Sequence, residues 1–142
     1  MKPEGTEPIK IVGVIVDEVG HPRMDRSPGS ALYAVPFQLS RRPSTLWERR
    51  FLETWDSPPR FTSMHRPGIA RVSGDKIVLD GTTIEEVERY HLETLKLAIA
   101  EANRLEQQDE VKLRQRASAE EQKREQHRQH VVEAAKRLKF ED

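Results

Sequence analysis

The sequence predicts an α+β fold, in which a small antiparallel or mixed sheet of about four to five strands packs on a long C-terminal helix. Three observations predict it. Residues 1–82 contain apolar, β-branched runs separated by turn residues, one short amphipathic segment lies between two proline-containing breaks, and residues 84–140 contain neither glycine nor proline. The first pattern is typical of strands and the other two are typical of helices. We therefore expect one short helix between the strands and one long helix after them.

Three segments have the patterns of longer strands. Residues 9–16 (IKIVGVIV) are apolar on both faces, which predicts a central strand covered on both sides. Residues 31–39 alternate, but Pro36 lacks a backbone donor, so we expect this strand at a sheet edge or bulged at the proline. Residues 69–80 predict a hairpin, because Gly74 can take the positive φ of a tight turn.

The short helix is predicted between these strands. Thr45-Leu-Trp-Glu48 is a capping box, which predicts a helix from about residue 46 to about residue 55. Asp56-Ser-Pro-Pro59 ends it, because proline cannot continue the hydrogen-bond ladder. Residues 60–65 are a further short candidate strand.

The long helix is predicted to begin at a second capping box, formed by Thr83 and Glu86. Apolar side chains and one histidine then recur every three or four positions, which predicts a helix face packed on the sheet. These residues are Ile84, Val87, His91, Leu95, Ala98, Ala102 and Leu105. We expect the histidine to be a core residue rather than a catalyst.

The apolar stripe fades after Leu105, which predicts two parts of the chain. A head of about 105 residues has a diameter of roughly 35 Å, and residues 83–105 already span that length as a helix. We therefore expect an α+β head of residues 1–105 and a charged helical extension of residues 106–142. The helix either continues throughout or breaks near residue 117, where Ser118-Ala-Glu-Glu121 forms a third capping box.

Composition excludes several classes of protein. The chain has 24 basic and 24 acidic residues, so its surface as a whole is not the cation that nucleic-acid-binding domains usually present. It has no cysteine, which excludes disulfide scaffolds, thiolate zinc sites and cysteine nucleophiles. The N-terminal apolar run is too short for a signal peptide, and no segment has the length of a membrane span. We therefore expect a cytoplasmic protein that does not contact membranes.

No motif assigns a chemistry. The chain contains no phosphate-binding loop, dinucleotide fingerprint, HExxH or GxSxG motif. His127 and His130 have a spacing seen in metal sites, but an exposed helix face is the expected setting for them. We therefore expect a non-enzymatic protein, with no catalytic residue, metal or cofactor assigned.

Two groups of residues are candidate binding sites. The first is an apolar edge at the end of the long helix, expected to dock on a protein partner or on another copy. It consists of Val131, Ala135, Leu138 and Phe140. The second is a set of cationic residues expected to contact an anion or nucleic acid. It consists of Arg41, Arg42, Arg49, Arg50, His65 and Arg66.

These groups give three functional hypotheses. The first is a non-enzymatic interaction or assembly subunit, which uses the head and the helical extension as docking surfaces. The second is a nucleic-acid-binding accessory protein that uses the arginine-rich face. The third is a small enzyme or anion-binding domain centred on His65 and Arg66, in which the histidine acts as a base.

Overall fold

The computed structural model describes residues 7–140 and confirms the α+β class. The ends of the two predicted domains, residues 1–6 and 141–142, lie outside the described residues. The chain forms two compact units that divide between Gln107 and Gln108. The strands are β1 (Ile11–Val14), β2 (Tyr33–Leu39), β3 (Ala70–Ser73) and β4 (Lys76–Thr82), and the helices are α1 (Thr45–Asp56), α2 (Ile84–Glu86) and α3 (Leu92–Arg137).

The four strands form one antiparallel sheet in the order β1-β2-β4-β3. The prediction of a central first strand is therefore wrong, because β1 lies at an edge. The register shifts between Ile11 and Gly13, and Val12 is exposed at this irregularity. A short 3-10 turn (Val16–Glu18) then ends the regular pairing. The β-branched run predicted a strand correctly but could not show how many neighbours it pairs with.

Strand β2 is central, although it contains a proline. Pro36 lies opposite Val78 of β4, and its carbonyl accepts a bond from the Ile15 amide on the other side. The nitrogen and oxygen of one strand residue point to the same side, so the missing donor faces the side where β1 has already ended. The ladder to β4 therefore loses no bond, and the only irregularity between these two strands lies at Tyr33 and Ala34.

The predicted hairpin is present between β3 and β4. Ser73 pairs with Lys76 across a two-residue turn, and Gly74 has a φ of 60° there. This turn fixes the register that buries Ile77 and Leu79 of β4. Residues 60–65 do not form the additional strand, since they form a turn in which the His65 amide bonds the Thr62 carbonyl.

Helix α1 packs three aromatic side chains into the core: Trp47, Phe51 and Trp55. Their spacing of four residues places them on one side of the helix. The cap is Ser44 rather than the predicted Thr45, because the Ser44 hydroxyl accepts the Trp47 amide.

The long helix is regular except near its start. Thr83 caps α2 as predicted, through a bond from the Glu86 amide. The next turn, Val87–His91, is a π-helix, and α3 then continues through Ser118 without a break. The stripe enters the core largely as predicted, with these residues buried: Val87, His91, Leu95, Ala98 and Ala102.

A polar clamp fastens α3 to the start of the chain. The Asn103 side chain accepts the Ile9 amide at 2.9 Å and donates to the Ile9 carbonyl at 3.0 Å. Its oxygen also accepts the indole of Trp47 at 2.8 Å. One turn later, the carboxylate of Glu106 accepts bonds from Arg41 and Ser44, each at 2.7 Å. None of these contacts was predicted from the sequence.

Candidate functional site

The first candidate site is the terminal segment, residues 131–140 in the second unit. Val131, Leu138 and Phe140 are exposed, with Phe140 87% accessible to solvent. Ala135 is exposed too, and its carbonyl accepts the Leu138 amide just beyond the end of α3. Helix geometry places Val131 and Ala135 on one side of α3, and Leu138 directly follows the last helical residue, Arg137. The predicted apolar edge is thus present on the surface of the second unit.

The rest of the second unit's helix is solvated as well. No described residue from 111 to 140 is buried, and Val111 and Leu113 are among the exposed apolar side chains. The helical state there depends on local features, namely the lack of glycine and proline and charge pairs such as Glu121 with Arg124.

The predicted cationic set does not form one free surface. Arg41 binds Glu106, as described above, and also donates to the Glu7 carbonyl. Arg50 lies 3.6 Å from Glu53, and Arg66 pairs with Glu86. Arg42 and Arg49 are the two exposed members of the set. Most of the positive charge that predicted an anion site is therefore matched by carboxylates of the same unit.

His65 and Arg66 lie in the loop between α1 and β3, and their contacts hold that loop in place. The Nε2 of His65 lies 2.7 Å from the Trp55 carbonyl, which can only accept, so Nε2 carries the proton. The indole of Trp55 donates to the Arg66 carbonyl at 3.1 Å. The guanidinium of Arg66 donates two bonds to Glu86, at 2.8 and 3.0 Å.

His91 completes this cluster from the π-helical turn. Its side chain has no solvent-accessible surface, and its ring centroid lies 5.6 Å from Trp55 and 6.5 Å from His65. Neither ring nitrogen has a hydrogen-bond partner within reach. Oε1 of Glu86 lies 3.6 Å from Nε2, which is too long for a hydrogen bond.

The surroundings of His91 favour its neutral form. Burial lowers the pKa of His91, and the nearby Glu86 carboxylate offsets only part of that effect. The bonds from Arg66 lower the pKa of Glu86, with a smaller contribution from the Thr82 hydroxyl. The arrangement is a neutral imidazole beside a carboxylate that is already paired. A base with no accessible surface cannot reach a substrate in this state, so His91 has the properties of a structural residue.

Two surface pockets lie elsewhere in the first unit. One of about 170 Å³ is lined by Pro58, Arg60, Thr62, Glu93, Thr94 and Leu97. The other, of about 380 Å³, is lined by Gly20, His21, Arg23, Gly29, Leu32, Tyr33, Ala34, Asp80 and Gly81. Neither is lined by His65, Arg66 or His91, so the predicted site residues do not open into them.

The described part of the chain contains neither a metal-binding cluster nor a membrane-spanning helix. Within residues 7–140, no group of three or more histidine and acidic side chains is arranged to hold a metal ion. His127 and His130 are both exposed. No helix in this described part of the chain combines the length and apolar character needed to cross a bilayer.

The comparisons with known proteins assign no family. No protein-family model, curated protein or solved structure matches the chain.

Sequence reasoning did not find the pairing of Arg66 with Glu86 or the setting of His91. Glu86 was expected to close a capping box, but its carboxylate binds a side chain twenty residues earlier in the chain. The only signal for His91 was its place in the apolar stripe, which correctly predicted burial and gave no information about partners.

Proposed function

We propose that the protein is a non-enzymatic interaction subunit that binds a protein partner through its terminal segment. The observation that carries this proposal is the exposure of Val131, Ala135 and Leu138, which are spaced four and three residues apart at the end of α3 and directly after it. Side chains at i, i+4 and i+7 are the anchors with which an amphipathic helix fills a groove of its partner. We propose a cytoplasmic setting on the sequence grounds given above.

The net positive charge of residues 111–140 indicates which chemistry the partner's binding groove should have. Residues 111–140 contain nine basic and four acidic side chains. Lys136 and Arg137 lie roughly 130° to either side of the apolar row on a regular helix. We therefore propose an apolar groove bordered by carboxylates, because complementary charges favour encounter and fix the orientation of the helix.

The free energies of side-chain burial and of association indicate that several anchors must be buried at the same time. Burying a valine, leucine or phenylalanine side chain contributes about 1.5–3 kcal/mol, whereas association costs at least about 4 kcal/mol in lost freedom of motion. One anchor cannot balance that cost, but Val131, Leu138 and Phe140 buried in one groove can. The loss of one central anchor should then weaken binding by about 2 kcal/mol, or roughly 30-fold.

The test is capture of partners from the native host by full-length protein and by point variants. Leu138→Asp and Val131→Asp place a charge on the proposed face. Gln129→Asp is the matched control, since residue 129 lies roughly 160° around the helix from Val131. We expect the wild type and the control to retain a stoichiometric partner and the other two variants to lose it.

The same variants distinguish self-association. If the partner is another copy, light scattering should show a mass that rises with concentration for the wild type and for Gln129→Asp, but not for Leu138→Asp. The proposal is wrong if all four proteins are monomers at every concentration and capture the same proteins in the same amounts.

Fewer observations support the nucleic-acid and enzyme hypotheses. The exposed cationic side chains that could contact nucleic acid are Arg42, Arg49 and the basic residues of the second unit. Such binding would weaken steeply with salt, and a filter-binding titration without uptake at low salt would dismiss it. For the site at His65 and Arg66, a His65→Ala variant that keeps full function in the host would dismiss catalysis.

A further inference from the structure

The loop of residues 57–69 is fastened to the first unit at a few points that lie close together. His65 and Arg66 bind Trp55 and Glu86, as described above. The Gly68 amide donates to Asp56 at 2.9 Å, and the Ile69 carbonyl accepts the Asp80 amide at 2.9 Å. Within the loop, the ring of Phe61 packs edge-on against His65 at 5.3 Å. The contacts of His65 and Arg66 involve Trp55 and Glu86, which are the side chains that lie against His91, so this part of the loop depends on the state of His91.

His91 is buried without the hydrogen-bond acceptors that a second ring proton would need. A buried imidazolium needs hydrogen-bond acceptors for both nitrogens, and neither nitrogen has one. The groups that face it are Glu86 from α2, His65 and Arg66 from the loop, and the uncharged Trp55 from α1. Among the described residues around it, only Glu86 is an anion.

Glu86 is already engaged. Its carboxylate accepts two bonds from Arg66 and one from Thr82 at 3.1 Å. Oε1 is the atom nearest to His91, and it is also the atom that Arg66 and Thr82 share. A proton on His91 would therefore compete with Arg66 for the same oxygen, and the Arg66 guanidinium would repel it.

We propose that His91 is a proton-operated latch, whose protonation releases the loop of residues 57–69 from the first unit. Either the imidazolium takes Oε1 from Arg66, or the π-helical turn opens and hydrates the ring. The first route breaks a bond between Arg66 and Glu86 that helps to hold the loop, and the second displaces Glu86, which directly precedes the π-helical turn. Release also uncovers Trp55 and the inner side of His65.

The direction with pH follows from the two protonation states. His91 in the closed form has a pKa below its ordinary value of 6.5, and in the open, hydrated form it returns towards that value. The open form therefore binds the proton more readily and gains population as the pH falls below 6.5. Glu86, with its lowered pKa, stays ionised across this range, since its ordinary value is 4.5.

The test uses the full chain at several pH values. The pKa of each histidine is read from its imidazole proton signals by NMR, and opening of the loop is read from hydrogen exchange of the Gly68 amide, corrected for the intrinsic rate. We expect His91 to titrate below its ordinary range. We also expect protection of Gly68 to fall by up to about tenfold at roughly one pH unit below the open-form pKa.

Two substitutions provide the comparison. His91→Gln removes the titrating group and should keep protection within about twofold across the same range. His130→Gln, on the exposed helix, should respond as the wild type does. The proposal fails if His91 titrates at its ordinary pKa while Gly68 stays protected, or if His91→Gln opens over the same pH range as the wild type. If His91→Gln does not fold, the NMR titration of the unmodified chain decides alone.

Discussion

The two units use the same helix in opposite ways. In the first unit, α3 buries Leu95, Ala98 and Ala102 against the sheet and α1. In the second unit, no described residue from 111 to 140 is buried. The backbone is helical in both. A helix can thus be held by a core in one stretch and by local preferences in the next, because its length exceeds the roughly 12–15 residues that an isolated helix needs.

The difference in burial along α3 indicates which residues are available for function. A side chain in the first part of α3 is already used in folding, and replacing it changes stability before it changes anything else. A side chain in the second part contributes little to stability. The proposed partner-binding residues therefore lie where substitutions can be read without the confounding effect of unfolding.

The largest expected contrast is between two phenylalanines. Phe51→Ala should lower the free energy of unfolding by about 3–5 kcal/mol, because it empties a fully buried site between α1 and the rest of the core. Phe140→Ala should change it by less than about 0.5 kcal/mol, because that ring is exposed. Urea denaturation of both variants measures the contrast, and equal losses would contradict the division of the chain into a core-bearing and a solvated unit.

A proline at position 119 should disrupt the helix of the second unit without lowering the stability of the first unit. Ala119→Pro removes a backbone donor and clashes with the preceding turn, at a local cost of about 3 kcal/mol. We expect a loss of helical circular dichroism with no shift in the unfolding midpoint followed by tryptophan fluorescence, since Trp47 and Trp55 lie in the first unit. Ala98→Pro, at a buried position of α3, is the contrasting variant and should unfold the first unit. A lowered midpoint for Ala119→Pro would show that the second unit supports the first.

The polar clamp should be weaker than the apolar core but still measurable. Glu106→Ala leaves Arg41 and Ser44 without their shared acceptor and should cost about 1–3 kcal/mol. Glu125→Ala, at an exposed position of the same helix, is the matched control and should be neutral within about 0.5 kcal/mol. Chemical denaturation at one salt concentration compares them, and a neutral Glu106→Ala would mean that the clamp does not contribute to folding.

The smallest expected effect concerns the charge pairs of the second unit. Glu121→Gln removes the partner of Arg124 and should reduce local helix stability by about 0.2–0.5 kcal/mol. The change should appear as faster hydrogen exchange of neighbouring amides at low salt and should vanish at high salt, because exposed charges are screened. An effect that persists in high salt would point to a contact other than the ion pair.

Much of the fold was predictable because its signals are local. The hairpin follows from one glycine, and the packed face of the long helix follows from the spacing of its apolar residues. The order of the strands was not predictable, since the β-branched run of β1 is the same whether one neighbour or two pair with it. The effect of Pro36 was unpredictable for the same reason. Its missing donor costs a hydrogen bond only if a neighbouring strand continues on the side of β2 that the proline nitrogen faces.

The candidate sites also differ in whether their signals are local in the sequence. The exposed edge at Val131 and Leu138 was readable, because a short apolar row without a core nearby is a property of the sequence itself. The engagement of Arg66 by Glu86 was not, because it joins residues from separate elements. Asn103 gave one overlooked signal, since it is a polar residue directly beside the buried stripe.

The clamp at Asn103 has a consequence for how the chain folds during synthesis. It joins residues 94 positions apart, so the first unit cannot close until almost all of its own sequence has been made. Residues 108–140 follow, and at about 5–20 residues per second they take roughly 2–7 s to translate. Small α/β domains fold within milliseconds to seconds. The time needed to translate residues 108–140 is therefore long enough for the first unit to close this contact before residues 131–140 emerge.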